Sequence, residues 1–222
     1  MTQQPQSELS SGQKNGARLI LILGGARSGK STFAETLAAQ SGQSVAFIAT
    51  ATGDDEEMRA RIARHQVTRP RTWHTFEEPL DLPGVVRRAS TMADVLLLDC
   101  LTLWTSNWLL QHTNQTNPET VFPDQLLSEH ALKEIDELLA VIRSLSTHQT
   151  LIVISNEVGL GVVPAYPLGR AYRDTLGYVN QRLAHAAEHV YLLVAGIPVD
   201  LKRLQEEVSW RSFDNSNRPG IY

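Results

Sequence analysis

The feature that most constrains the fold of this 222-residue chain is a glycine-rich octapeptide, GGARSGKS, at residues 24–31. It follows a short apolar run at residues 18–23, typical of a buried strand, and it leads into residues 31–40, which have helical character. The octapeptide matches the pattern GxxxxGK[ST], whose backbone N–H groups surround phosphates between a strand and a helix. A glycine-rich turn could match this pattern by chance, but the flanking strand and helix favour a phosphate-binding loop.

Two positions of this loop carry distinct chemistry. Lys30 can reach the β- and γ-phosphates of a nucleoside triphosphate, and Ser31 can offer its hydroxyl to Mg²⁺. A second, acidic ligand for the metal is expected at the end of another buried strand, where Asp99 closes the run VLLLD. Asp99 could also, or instead, cap the helix that follows. The predicted nucleotide contacts in the loop are Gly24, Gly25, Ala26, Arg27, Ser28, Gly29, Lys30 and Ser31, and the predicted metal ligands are Ser31 and Asp99.

Apolar strands alternate with helices along the rest of the chain. We expect strands at residues 44–50, 73–76, 95–99, 151–155 and 190–194, and helices at residues 54–66, 82–90, 101–111, 125–145 and 169–188. Loops are expected at residues 112–124 and 156–168. This alternation predicts an α/β fold of the P-loop NTPase-like kind, with a mostly parallel sheet and helices on both of its faces.

The patterned part of the chain is predicted to be one domain at residues 18–202, without internal repeats. Residues 1–17 are polar and rich in Gln, Ser and Gly, and we expect a disordered tail there. Residues 203–222, where the apolar pattern fades, are expected to be a C-terminal tail.

Composition argues against several classes of function. The formal net charge of −4 provides no bulk attraction to nucleic acid. Cys100 is the only cysteine, so an internal disulfide is excluded and nothing suggests secretion. No apolar run reaches the length needed to cross a membrane. We therefore expect a cytoplasmic protein that spans no membrane, binds no nucleic acid and holds anionic ligands through local features.

The pattern does not favour a nucleotide switch of the GTPase type. Such a switch would recognise guanine with an NKxD motif, and residues 156–159 (NEVG), which follow a predicted strand, lack the Lys and the Asp. A metabolic kinase suits the short chain better.

Eight segments, taken in order, are similar to one known family. They are GGARSGKS, SVAFIAT, DDEEMRARIARHQ, RPRTW with a glutamate just after it, VLLLDCLTLW, NEVGLGVVP, GRAYRDTLGYVNQRLA and VYLLVAGIPV. From about Leu19 to Lys202 the chain resembles the bifunctional adenosylcobinamide kinase and adenosylcobinamide-phosphate guanylyltransferase of cobalamin synthesis. NEVGLGVVP and the RIARH helix carry the resemblance more specifically than the phosphate-binding loop, which many families share.

The resemblance implies two reactions at one nucleotide site. The first phosphorylates the aminopropanol hydroxyl of adenosylcobinamide, with ATP or GTP as the donor and Mg²⁺ as the metal. The second transfers GMP from GTP onto that phosphate through a guanylylated histidine and gives adenosylcobinamide-GDP. The resemblance also implies a P-loop sheet domain that assembles as a homo-oligomer, commonly a trimer.

His65 is the candidate nucleophile. It lies three residues after Ile62, at the border of the buried face of the predicted helix 54–66, with Arg64 beside it and Arg69 shortly after. A neutral imidazole can attack an α-phosphate, and nearby cations would stabilise the phosphate charge. The pattern alone leaves a packing role for this histidine equally open. The resemblance implies that His65 carries the GMP.

The resemblance extends to further residues. Outside the loop it implies nucleotide contacts from Ala49, Thr50, Ala51, Gln66, Val67, Thr68, Arg69, Glu77 and Asp99. A second polar concentration comprises Asn156, Glu157, Arg170, Arg173, Asp174, Asn180 and Gln181. These residues could bind the corrinoid, hold a subunit interface, or form a solvated helix face with internal salt bridges.

Two other functions remain open from the sequence. The chain could be a simple P-loop kinase that acts on another small alcohol, with His65 in a structural role. It could also be a non-catalytic regulator that binds nucleotides. The sequence does not decide whether ATP or GTP is the preferred phosphate donor.

Overall fold

The computed structural model describes residues 16–53, 56, 59–60, 69–114 and 124–207. Most of the helix predicted at residues 54–66 lies outside the described residues, and so do His65, Gln66, Val67 and Thr68. The predicted N-terminal tail lies outside them as far as residue 15, and the predicted C-terminal tail from residue 208 onward.

Seven strands form one sheet in the described part of the chain. They are β1 (Arg18–Gly24), β2 (Val45–Ala49), β3 (His74–Glu77), β4 (Val95–Asp99), β5 (Thr150–Ile154), β6 (His189–Val194) and β7 (Ile197–Asp200). Their order across the sheet is β3-β2-β4-β5-β1-β6-β7. Every neighbouring pair is parallel except β6 and β7, which are antiparallel. The predicted α/β class with a mostly parallel sheet is confirmed.

Six helices accompany the sheet within the same residues. They are α1 (Lys30–Gln40), α2 (Leu82–Ser90), α3 (Leu101–Asn114), α4 (Asp124–Ser144), α5 (Pro167–Ala186) and α6 (Leu201–Glu207). The predicted bounds of α2 and β4 match the structure residue for residue. Helix α2 begins cleanly because the Asp81 carboxylate accepts a hydrogen bond of 2.8 Å from the N–H of Gly84, and Pro83 occupies the first turn.

The central strand β1 shows how the sheet is covered on both sides. Leu19, Leu21 and Leu23 pack with buried residues of α2, α3, α4 and α5. Ile20 and Ile22 point to the other face, where buried residues of α1 cover them. Successive side chains of a strand alternate between faces, so a strand covered on both sides reads as a continuous apolar run. The predicted placement of helices on both faces is confirmed.

Helix α3 runs three residues beyond its predicted end at residue 111, so the prediction of a loop from residue 112 was wrong at its start. Trp108 and Leu109 are buried in the last turns of the helix. The His112 ring stacks on Trp108 with 3.9 Å between centroids, and the Thr113 hydroxyl donates to the Leu109 carbonyl at 2.7 Å. These local contacts extend the helix through polar residues.

The sheet continues past the last strand that the sequence indicated. Ala195 and Gly196 both have positive φ, 51° and 83°, which is the backbone of a tight hairpin turn. The turn brings β7 back against β6, and α6 then extends beyond the predicted domain end at residue 202. Strand β7 has four residues, one of them Pro198, and its Ile197 is exposed, so it lacks the buried apolar pattern of the other strands. Among the described helices, none combines the length and the apolar character needed to cross a membrane.

Candidate active site

The octapeptide at residues 24–31 joins β1 to α1, as the sequence predicted. Three of its residues have left-handed backbone: Gly24 (φ 152°), Arg27 (φ 59°) and Gly29 (φ 96°). A Cβ on Gly24 would lie 2.6 Å from the Ser28 hydroxyl oxygen and 2.7 Å from the Leu193 carbonyl oxygen. Glycine is therefore required at the start of the loop both by backbone angle and by space.

Lys30 is the first residue of α1, and it is buried, with 8% of its surface exposed. Its ammonium donates a hydrogen bond of 2.6 Å to the Gly25 carbonyl, across the mouth of the loop. A buried cation is costly unless polar groups or a counter-charge surround it. The loop thus holds a preorganised positive charge of the kind that a nucleotide phosphate would meet.

Ser31 and Asp99 come together from positions 68 residues apart in the sequence. The Ser31 hydroxyl donates to Asp99 Oδ2 at 3.3 Å, at the carboxyl end of β4. One hydroxyl and one carboxylate are hard oxygen ligands, which suit Mg²⁺, and this ion commonly completes its octahedral coordination with water and substrate phosphates. The donor set fits the predicted metal, with Ser31 and Asp99 as the residues that would hold it.

Thr50 fastens the ends of β2 and β4 to each other. Its hydroxyl donates to the Cys100 carbonyl at 2.7 Å and accepts from the Cys100 N–H at 2.8 Å. The Asn107 amide donates to the Thr50 carbonyl at 2.8 Å, which ties the same point to α3. Thr50 has no exposed surface, while its neighbours Ala49 and Ala51 are half-buried. Its hydroxyl therefore supports the framework on which Asp99 stands.

The guanidinium of Arg69 lies at the same edge of the sheet and is positively charged. Its guanidinium carbon lies 3.3 Å from the centroid of the Phe47 ring, and Nη1 donates to the Thr75 hydroxyl at 3.0 Å. Burial lowers the pKa of Arg69 from its ordinary value, and the carboxylates of Glu35, Asp99 and Glu77 oppose this shift. An arginine stays protonated under all physiological conditions, so Arg69 is a fixed cation among three acids.

Arg69 and Glu77 line an open cleft of ≈ 330 Å³ beside β3. The cleft is completed by Pro70, Arg71, Trp73 and Thr75. In the sheet order, β3 lies four strand spacings from β1, about 19 Å at the usual separation of strands. The structure therefore brings the predicted residues together in two groups along one edge: the phosphate loop with Asp99, and the cleft of Arg69 and Glu77.

The fold brings most residues of the second polar concentration into one cleft. Glu157, Arg173, Asp174, Asn180 and Gln181 line another cleft, of ≈ 400 Å³. Arg170 does not line it, and instead donates to the carbonyls of Pro164 and Ala165. Sequence reasoning missed Tyr178, an exposed aromatic residue of α5 that also lines this cleft; its position one helical turn after Asp174 was the available signal.

The residues of this site lie within a segment that matches a known protein family. The family model for "Cobinamide kinase / cobinamide phosphate guanyltransferase" matches residues 20–201, a span that contains the phosphate loop, Arg69, Glu77 and Asp99. The chain belongs to this cobinamide kinase family. The resemblance seen in the sequence is confirmed, and with it a kinase and nucleotidyltransferase class of enzyme.

Three relatives of this cobinamide kinase family member are similar over most of its length. The bifunctional adenosylcobalamin biosynthesis protein CobP of Pseudomonas aeruginosa is 45% identical over 182 residues, which are 82% of this chain and 96% of that protein. The CobU proteins of the same description from Escherichia coli and Salmonella typhimurium are 39% and 40% identical, over 83% of this chain and 99% of each relative.

Proposed function

We propose that the chain phosphorylates the aminopropanol hydroxyl of adenosylcobinamide with ATP or GTP and then transfers GMP from GTP to the new phosphate. The product of the two steps is adenosylcobinamide-GDP. The single observation that best supports this proposal is the arrangement of Lys30, Ser31 and Asp99 around the phosphate loop. Family membership supplies the substrate class, because the family description names cobinamide and its phosphate.

In the kinase step the hydroxyl oxygen of the acceptor attacks the γ-phosphorus. The bond between the γ-phosphorus and the bridging oxygen breaks, the nucleoside diphosphate leaves, and the hydroxyl proton passes to solvent. Lys30 stabilises charge on the phosphates, and the loop fixes their position. Mg²⁺, held through Ser31 and Asp99, would neutralise part of the phosphate charge.

In the transferase step we propose that His65 is the nucleophile. Its neutral imidazole attacks the α-phosphorus of GTP, pyrophosphate leaves, and a phosphoramidate forms. A phosphate oxygen of adenosylcobinamide phosphate then attacks the same phosphorus and regenerates the free imidazole. His65 lies outside the described residues, so this assignment rests on its sequence position and on the family resemblance. Arg69, four residues later, places a fixed cation at the site edge.

We predict that His65→Ala abolishes GMP transfer but retains phosphorylation of adenosylcobinamide, because phosphoryl transfer needs no covalent enzyme intermediate. The measurement uses α-labelled GTP, a denaturing gel and mass spectrometry of the adduct. The label should be stable to base and labile to acid, as a phosphoramidate is. His148→Ala is a matched control, because His148 pairs with Asp94 at the opposite, amino end of β4.

The same assay separates the alternative functions. A GMP adduct on a residue other than His65, or undiminished adduct in His65→Ala, contradicts the histidine assignment. Transfer of γ-phosphate to a small alcohol with no protein adduct identifies a simple kinase. Nucleotide binding without transfer of either group identifies a regulator.

The assembly and metal proposals follow the family resemblance. We propose Mg²⁺ as the metal, a homotrimer as the assembly and the cytoplasm as the location. We also propose one catalytic domain, predicted at residues 18–202 and extended by α6 to residue 207. Light scattering of the purified protein should give three times the chain mass of 24.6 kDa. A mass equal to one or two chains would overturn the trimer.

A further inference from the structure

A cleft of ≈ 400 Å³ between β1 and α5 lies outside the proposed nucleotide site. We call it the α5 cleft. Its polar lining comprises Glu157, Arg173, Asp174, Tyr178, Asn180 and Gln181. Leu23, the residue just before the phosphate loop, forms part of its wall. The cleft therefore opens at the carboxyl end of β1, where open parallel sheets bind their ligands.

A chain of hydrogen bonds ties the α5 cleft to the phosphate loop. The Glu157 N–H donates to the Gly24 carbonyl at 3.1 Å. The buried Ser155 hydroxyl donates to the Asn180 side-chain oxygen at 2.6 Å, and the Asn180 amide donates to the Asn156 carbonyl at 3.0 Å. Because β5 lies between β1 and β4, these residues stand between the loop and Asp99. A ligand in the cleft would be held at a fixed position relative to the phosphates.

The charges of the α5 cleft do not suit a second polyphosphate. Nε and Nη2 of Arg173 both lie 2.8 Å from Asp174 Oδ1, so its positive charge is already compensated. Glu157 adds a further carboxylate, and these three groups sum to one negative charge. Tyr178 and Gln181 are exposed and add a phenol and an amide. Compensated charges with neutral donors and acceptors suit a neutral ligand rich in amides and hydroxyls.

An apolar rim adjoins this polar cleft. Gly159 lines the cleft, and the loop that continues from it exposes large apolar side chains, with Leu160 87%, Val162 96% and Tyr166 64% exposed. The exposed side chains of this loop provide apolar surface on which part of a ligand could rest.

We propose that the α5 cleft binds the acceptor, by taking up the carboxamide-bearing, hydroxyl-ended arm of the corrinoid while the macrocycle rests on the apolar rim. This proposal rests on the proposed function above. The volume of ≈ 400 Å³ lies near the lower end of the range for small-molecule sites, which fits a side arm and excludes the whole macrocycle. Arg173 and Gln181 hydrogen-bond the amide groups, and the arm's hydroxyl lies toward the phosphate loop.

The test compares two cleft variants with one control on the same helix. Arg173→Gln and Gln181→Ala should raise both the KM and the Kd for adenosylcobinamide, by about tenfold for Arg173→Gln, while the KM for GTP stays within about twofold. Binding is measured without nucleotide, by equilibrium dialysis that follows the corrin absorbance. Arg182→Gln is the control, because Arg182 pairs with Asp136 outside the cleft. Gln181 is exposed, so its variant leaves the fold intact.

Each outcome separates the two proposals. Unchanged KM and Kd for the corrinoid in both cleft variants overturn the acceptor site. Variants that dissociate the oligomer but still bind the corrinoid normally show that the cleft is a subunit interface instead, which also overturns it. If the unmodified enzyme binds the corrinoid in a cleft-dependent way but transfers no phosphate to it, the acceptor site stands and the proposed function falls.

Discussion

At the level of single residues, the two charged groups of the proposed metal and phosphate site are constrained differently. Lys30 is buried, and its ammonium donates a hydrogen bond to the Gly25 carbonyl. Asp99 is half-buried; it accepts a hydrogen bond from the Ser31 hydroxyl and interacts electrostatically with Arg69. A buried ammonium is fixed in place, while the carboxylate remains accessible to a metal. Substitution at each position should therefore affect different steps.

Asp99→Asn tests the metal role of the carboxylate. The variant keeps an oxygen that can accept the Ser31 hydrogen bond but loses the negative charge that a hard cation requires. We expect the Mg²⁺ concentration for half-maximal rate to rise by about tenfold or more, with a lower maximal rate. Asp94→Asn, at the amino end of β4, is the control for loss of an acid from the same strand. An unchanged Mg²⁺ titration would reduce Asp99 to a strand-end residue.

The reactivity of the Cys100 thiol tests how far the chain is shielded from water next to Asp99. Burial, with a smaller contribution from the charge of Asp99, raises the pKa of the Cys100 thiol from 9.0 to about 11. Because the thiolate is the reactive form, alkylation by iodoacetamide at pH 8 should be about a hundredfold slower in the folded protein than in urea. The sole cysteine makes this rate readable by mass spectrometry. Equal rates in the folded and unfolded protein would contradict the raised pKa of the thiol.

The raised pKa of Cys100 also determines how this thiol affects the free energy of unfolding at alkaline pH. The thiol loses its proton near pH 9 in the unfolded chain and near pH 11 in the folded one, so the unfolded chain binds fewer protons between these values. Its contribution to stability is therefore fully present below pH 9 and is lost as the pH rises toward 11. Cys100→Ala should remove this part of the loss in the free energy of unfolding at alkaline pH. Urea titrations at several pH values measure the loss.

At the level of elements, the hydrogen bonds of Thr50 link the ends of β2 and β4, and we call this link the joint. Thr50 makes both side-chain bonds to Cys100, and Asn107 of α3 bonds the Thr50 carbonyl. Thr50 thus fixes two strand ends through its side chain, and it binds a helix through its backbone carbonyl. This joint lies outside the phosphate loop, so its stability can be tested without altering the loop.

Thr50→Val should weaken this joint without changing side-chain volume much. It leaves the N–H and the carbonyl of Cys100 without their buried partner, and we expect a loss of about 1–3 kcal/mol in the free energy of unfolding. Urea unfolding measures the loss, and Thr50→Ser, which retains the hydroxyl, should recover most of it. Equal stability of the Val variant and the unmodified protein would contradict the role of the two hydrogen bonds.

At the level of the whole molecule, nucleotide binding should stabilise the fold, because a ligand that binds only the folded state shifts the unfolding equilibrium. With GTP and Mg²⁺ at about 100 times Kd, the gain of about 2.7 kcal/mol corresponds to a rise in Tm of about 5–10 °C. Lys30→Ala should abolish this rise together with both activities. Lys133→Ala, at an exposed position on α4, is the control. A full shift in Lys30→Ala would contradict the role of the phosphate loop.

The phosphate loop and most of the strands and helices could be predicted from the amino-acid sequence alone. The loop is readable because its eight residues work through local backbone geometry, with glycine needed at Gly24 and Gly29 for positive φ. The strands of the sheet centre are readable because burial on both faces leaves continuous apolar runs, as in β1 and β4. The same local reasoning failed at β7, where the hairpin turn at Ala195 and Gly196 and the pairing with β6 form the strand rather than its own apolar pattern.

The contacts between residues that are distant in the sequence became visible in the folded structure. The strand order inserts β5 between β1 and β4, and this places Asn156 and Glu157 beside the phosphate loop. It also sets Arg69 among carboxylates from α1, β3 and β4, and assembles the α5 cleft with Tyr178 in its wall. The physical reason is that these meetings are stabilised by contacts between residues far apart in the chain. A periodic pattern along the sequence states which face of a strand or helix is buried, but it does not state which partner covers that face.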